Sequence, residues 1–256
     1  MKKILITAWY LIFTLPLMTQ NLWGGLEQGH YDIEFQTIMT YDLSQPALTE
    51  QHDLSKAQRL GRAMQINIWY PAENKEQKEK LSLNDYLLLE GKAIDFELSG
   101  EAQRQKAKQF FFRYVPKYQP YFDSLFLLNL PMRAIRNARP ANGKFPCILL
   151  MHQDAPQVCV TAEYLASHGF VVVNYPVLGS FSVDFDFQET TGLETEVRDM
   201  EFAVSELKKL SFADFENIGL IGISYGAMSV MAYQLRNPAV KAVISLDGGI
   251  TDSWGF

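Results

Sequence analysis

From Gly143 onward the chain alternates short apolar runs with amphipathic stretches, and this constrains the fold more than any other feature of its 256 residues. Residues 147–151 form a continuous apolar run, as a strand buried on both faces of a sheet requires. Residues 161–168 read as a helix that Gly169 can stop, and residues 170–173 as the next strand. Across residues 193–210, Leu193, Val197, Met200, Val204 and Leu207 recur at three- and four-residue spacing, which gives a helix one apolar face. A strand at 218–223, a helix at 227–236 and a strand at 242–246 complete the series. Strand and helix in strict turn predict an α/β fold, a mostly parallel sheet with helices on both faces.

The first half follows different rules. Residues 31–41 and 63–70 alternate apolar and polar side chains with period two, which predicts two half-exposed antiparallel strands. Pro71 and the charged stretch 73–80 are expected to end the second. Residues 81–142 read as a helical insertion: Ser99 can cap a helix running to about residue 114, Pro116 can stop it, and a second helix is expected over 122–128. The basic group Arg133, Arg136 and Arg139 reads as a solvated face. The insertion packs over the core either as a lid or as a long connection with two structural helices. Its aromatic residues, Phe110, Phe111, Phe112, Tyr114, Tyr118, Tyr121 and Phe122, suit an acyl pocket or plain core packing.

At the N-terminus, Lys2 and Lys3 precede an apolar run over residues 4–18, and Thr19, Gln20 and Asn21 follow. This is the layout of a secretory leader, expected over residues 1–19, and it places the mature protein outside the cytoplasm or in the periplasm. The run is shorter than the roughly 20 apolar residues of a membrane-spanning helix; an uncleaved anchor and a buried helix are the alternatives. Residues 20–256 then form one domain, in keeping with a hydrophobic content of 48%. The two cysteines, Cys147 and Cys159, read as buried free thiols, and no zinc spacing is present. A net charge of −6 disfavours nucleic acid and anionic lipid as partners.

The chemistry concentrates at Gly222-Ile223-Ser224-Tyr225-Gly226, with a strand running into it and a helix leaving it. This is the context a nucleophile elbow needs: a sharp turn lifts the Ser224 hydroxyl above the sheet, and Gly222 and Gly226 leave room for adjacent backbone. The helix that follows points its first amides at the same place, so the Tyr225 N–H is a candidate oxyanion donor. The loop after residues 147–151 would supply the second donor. It reads His152-Gln153-Asp154, and His152 shapes that loop or serves as a base. Asp247 stands at the carboxyl end of a parallel strand, where active sites of open α/β sheets gather. Asp184 and Asp186 fall in a polar-aromatic loop, and Asp199 is expected on the exposed side of its helix.

These residues carry a resemblance. From about residue 63 to the end, the chain resembles α/β hydrolases of the platelet-activating-factor acetylhydrolase and dienelactone hydrolase type. The matching pieces are Ile68-Trp69-Tyr70-Pro71-Ala72, Leu165-Ala166-Ser167-His168-Gly169-Phe170-Val171-Val172, the elbow, and Ser245-Leu246-Asp247-Gly248. The resemblance implies a serine hydrolase acting on esters or lactones, with Ser224 as nucleophile, Asp247 as the triad acid and Asp154 lending the second oxyanion amide. The implied partner is a small ester or lipid-like substrate; nucleic acid, a stable membrane span after leader removal, metal and organic cofactor are not expected. The family loop reads His-Gly where this chain has His152-Gln153. In such enzymes the histidine follows the acid, yet His30, His52, His152 and His168 all precede Ser224. The expectation is a chain lacking the C-terminal strands and the histidine of a longer enzyme. A non-catalytic binding protein on the same fold and a peptidase are the alternatives, and the oligomeric state stays open.

Overall fold

The two alternating runs become β1 (Asp32–Asp42) and β2 (Arg62–Glu73), paired antiparallel from Asp32 opposite Ala72 to Asp42 opposite Arg62. They belong to a computed structural model that describes residues 22–73, 78–112, 128–151, 155–184 and 190–248. After them come β3 (Lys80–Ser82), α1 (Leu83–Glu90), α2 (Gly100–Phe112), β4 (Pro131–Ile135) and β5 (Arg139–Pro140). The second half contains β6 (Phe145–Met151), α3 (Ala155–Ser167), β7 (Val171–Asn174), α4 (Thr190–Leu207), β8 (Ala213–Ile223), α5 (Tyr225–Arg236) and β9 (Val240–Leu246). The sheet has nine strands in the order β3-β4-β1-β2-β7-β6-β8-β9, with β5 paired to β2. Pairings among β7, β6, β8 and β9 are parallel, while β2 runs antiparallel to both β1 and β7. The sheet is therefore mixed, and its parallel part is the half built from alternating strands and helices.

Alternation of side chains along each strand divides the core into two layers. On one face, Met64, Ile66 and Ile68 of β2 meet Leu149, Val173 and Leu220 under Val197, Met200 and Leu207 of α4 and Val230 of α5. On the other, Phe35, Trp69, Leu150 and Val172 pack under Val158, Ala162 and Ala166 of α3 and Tyr86 of α1. Both cysteines are free and buried; burial pushes the Cys147 thiol up to about 12 and raises that of Cys159 too.

Several expectations need correction. β2 is buried along almost its whole length rather than half-exposed, because β1 and β7 flank it and helices cover both faces. It continues through Pro71, whose carbonyl accepts the Ala141 N–H at 2.9 Å, so the missing proline N–H does not end the pairing. The segment 81–142 is not purely helical: β4 pairs with both β1 and β3 and widens the sheet. α1 belongs to the core, with Tyr86 fully buried. Arg133 and Arg136 are not simply solvated, for their guanidinium groups lie over Trp23 and Phe35 at 4.5 and 5.2 Å. α3 begins at Ala155, six residues before the expected start, since a proline in a helix's first turn, here Pro156, costs no hydrogen bond. The leader and most of the second insertion helix lie outside the described residues. Among the described residues no helix is long and apolar enough to cross a membrane, and the sheet ends at β9, where Ile244 and Leu246 are each 49% exposed.

Candidate active site

β8 delivers Ser224 to the carboxyl edge of the parallel strands, and α5 begins at the next residue. Ser224 has φ 55 and ψ −123, a strained conformation for a residue with a side chain. Two backbone hydrogen bonds fasten it: its N–H donates to the Leu246 carbonyl at 2.8 Å, and its carbonyl accepts the Ala227 N–H at 3.0 Å. The glycines answer to close approach. A Cβ on Gly222 would stand 2.2 Å from the Gly226 carbonyl oxygen, and one on Gly226 would stand 2.4 Å from the Met151 carbonyl oxygen. The chain thus turns in close contact with adjacent backbone and leaves the serine exposed.

The other sequence-chosen residues are reached from this turn. Tyr225 opens α5, so its amide belongs to the first helical turn, for which a helix supplies no internal acceptor. Asp247 directly follows Leu246, the residue hydrogen-bonded to Ser224, and adopts φ 55 on the exposed edge. The fold therefore brings Ser224, Tyr225 and Asp247 to one corner between β8 and β9. His152 and Asp154 lie outside the described residues; β6 leads into them from Met151, which pairs with Gly222. Asp186 lies outside as well, and Asp184 is exposed in a turn with Ser182.

The described histidines fall elsewhere. His168 ends α3 beside the Tyr164 carbonyl, 2.8 Å from Nδ1, and His30 stacks edge-on against Tyr31 before β1; both occupy the opposite edge of the sheet. His52 sits on the Ser224 edge, in a 3-10 helix (Thr49–Asp53) that follows β1, four strands from β8. Among the described residues no group of three or more His, Cys, Asp or Glu could hold a metal ion.

One cluster at this edge was misread from the sequence. Asp199 is not on an exposed helix face: it is 1% exposed and paired with Arg62, itself 1% exposed, at 2.7 Å. Arg62 donates from Nε and Nη2 to Asp199, from Nη1 to the Gly179 carbonyl at 2.7 Å, and from Nη2 to the Leu178 carbonyl at 3.0 Å. Gln45 joins Asp199 to Asp42. Beside the pair, Glu196 is buried with no hydrogen bond to either carboxyl oxygen. Burial, helped by Asp199 and opposed by Arg62, pushes its carboxyl up to about 8. Glu196, Asp199 and Ala203 share the buried side of α4 with Val197, Met200 and Leu207, and that spacing was the available signal.

Residues 156–254 match the sequence model of the prolyl oligopeptidase family, a stretch that contains the elbow and Asp247. Comparison with curated proteins gives no match. Among solved structures, a ferulic acid esterase from Streptomyces cinnamoneus is 19% identical, with a TM-score of 0.60 over 88% of this chain and 62% of its own. Brefeldin A esterase, described as a bacterial homologue of human hormone sensitive lipase, is 12% identical, with a TM-score of 0.43 over 86% of this chain and 41% of its own. A putative dipeptidyl aminopeptidase IV from Bacteroides ovatus is 17% identical, with a TM-score of 0.40 over 88% of this chain and 22% of its own. The chain spans less than two thirds of each of these three. With the strand order above and the elbow at the end of β8, the fold is that of the α/β hydrolases.

Proposed function

We propose that the protein is a serine hydrolase that cleaves carboxylic esters or lactones through an acyl-Ser224 intermediate. The observation that carries this reading is Ser224 itself, exposed at φ 55 between β8 and α5 at the carboxyl edge of the sheet. A structural serine gains nothing from that strain, whereas a nucleophile gains a presented hydroxyl beside a helix N-terminus. In the reaction, Oγ of Ser224 adds to the substrate carbonyl while a base removes its proton. The Tyr225 amide, with that of Asp154, holds the oxyanion. The C–O bond to the leaving alcohol breaks as the base returns the proton to it, and water then releases the acid by the reverse steps. Asp247 orients the histidine that serves as base, and within the given sequence His152 is the candidate for it. The substrate is a small ester or a lipid-like one, and the expected site of action is beyond the cytoplasmic membrane.

The match to the prolyl oligopeptidase family supports a second reading, an amide substrate attacked by the same serine. A fluorophosphonate probe tests both, with the modified peptide located by mass spectrometry and Ser224→Ala as control. Labelling at Ser224 that disappears in the variant supports a serine hydrolase, and turnover of nitrophenyl esters against peptide nitroanilides then separates esterase from peptidase. A folded wild type that takes no label overturns both and favours a non-catalytic protein on this fold.

A further inference from the structure

The loop after β7 leaves the sheet at the same edge as Ser224, with Val173 level with Leu220 in the register that runs through β6. Residues 175–180 are all buried, so their backbone carbonyls need partners inside the protein. Arg62 meets that need at Leu178 and Gly179 while holding Asp199 with the rest of its fork. The loop also supports the insertion, since Leu178 packs with Leu48, Ala63, Ile94 and Phe110 of α2. One guanidinium therefore fixes the loop after β7 to α4, and Glu196, one turn from Asp199, is a second acid beside it with no hydrogen bond of its own.

We propose that Glu196 is a proton-operated release for the Arg62 latch, and that the latch positions the loop after β7 for the chemistry at Ser224. With its proton on, Glu196 makes no claim on Arg62, and the guanidinium stays with Asp199 and the two loop carbonyls. With its proton lost to solvent, two buried carboxylates face a single guanidinium. Arg62 is drawn toward Glu196, and its hold on Leu178 and Gly179 weakens. The charged and titratable groups that surround this exchange are Arg62 on β2, Asp199 on α4, Asp42 through Gln45, Tyr175 and, on α5, Tyr233. Tyr175 adds a mechanical link, donating its hydroxyl to the Glu196 backbone carbonyl at 3.1 Å.

Hydrogen exchange of residues 177–184 reads the latch without reference to catalysis. Corrected for the intrinsic pH dependence of exchange, the wild type is expected to lose about tenfold in protection between about pH 7 and about pH 9. Glu196→Gln keeps the shape and the neutral form of the side chain and is expected to show no such loss. Arg62→Lys, which keeps the charge but not the fork, is expected to lose protection at both pH values. An equal pH response in wild type and Glu196→Gln, or unchanged protection in Arg62→Lys, overturns the proposal. The positioning role rests on the hydrolase reading and adds a second readout: wild-type kcat/KM falls on the alkaline side, and that of Glu196→Gln does not. Absence of turnover in a folded wild type overturns the hydrolase reading, while the exchange result still decides the latch.

Discussion

A Cβ at position 226 would lie 2.4 Å from the oxygen and 2.8 Å from the carbon of the Met151 carbonyl, both part of the β6 backbone. Neither can move without shifting the strand that leads into the proposed oxyanion loop. Gly226→Ala is therefore expected to cost about 2 kcal/mol or more, from overpacking against immobile backbone, and to suppress labelling of Ser224. Urea unfolding combined with fluorophosphonate labelling checks both effects; an alanine variant as stable and as reactive as the wild type would mean the elbow is looser than these distances state. At Asp247 the expectation is the reverse, activity without stability. The residue is exposed, so Asp247→Asn should leave the unfolding midpoint within about 0.5 kcal/mol. If Asp247 orients the base, kcat should fall by roughly 10³ to 10⁴, the scale on which a mis-set triad histidine acts.

Elements are joined by a few buried polar residues, and Glu163 of α3 shows how. Its carboxylate accepts from Trp23 Nε1 at 3.0 Å, the Tyr86 hydroxyl at 2.7 Å, and the Arg133 and Ala134 amides at 2.9 and 3.2 Å. One side chain thereby ties α3 to α1, to β4 and to the segment before β1. Glutamine in its place presents an amide NH2 to some of four donors, so Glu163→Gln should lose about 1 to 3 kcal/mol, measurable by urea unfolding. None of these ties could be read locally. Elements that bury one stripe or two faces announce themselves by period, and α4, β6 and β8 were legible for that reason. β3 and β4 were hidden because they are short and carry Lys80, Pro131 and Arg133, residues that an outer strand tolerates and a central strand does not. Asp199 was misplaced for a related reason: a charge on a helix looks solvated until its partner is known, and Arg62 stands 137 positions away. At the candidate site, the turn at Ser224 and Tyr225 and the place of Asp247 after β9 were legible, because each follows from a local strand-to-loop pattern. The latch was not, since it is assembled from a strand start, a loop and a helix.

For the molecule as a whole, these buried acids set the sense in which stability responds to pH. Glu196 has its carboxyl pushed up to about 8 from an ordinary value of 4.5, and burial raises Glu34 and Glu163 as well. A carboxyl whose native pKa exceeds its unfolded value holds its proton more tightly in the folded state. Between those two values the native protein binds more protons than the unfolded chain, and stability falls as pH rises. Each unit of difference weakens the native state by about 1.4 kcal/mol once the group is forced to ionise. The net charge of −6 at pH 7 adds to this sense, because self-repulsion grows as further acids ionise. Unfolding free energy should therefore be greatest on the acid side of neutrality and decline from about pH 5 to about pH 8. Glu196→Gln should flatten most of the decline above pH 6, since the Glu196 carboxyl is pushed up into that range. Urea titrations of wild type and variant across these pH values test the point. A wild type that gains stability toward pH 8, or a variant with the same slope, would mean that Glu196 is ionised in the folded protein and that Arg62 already carries both carboxylates.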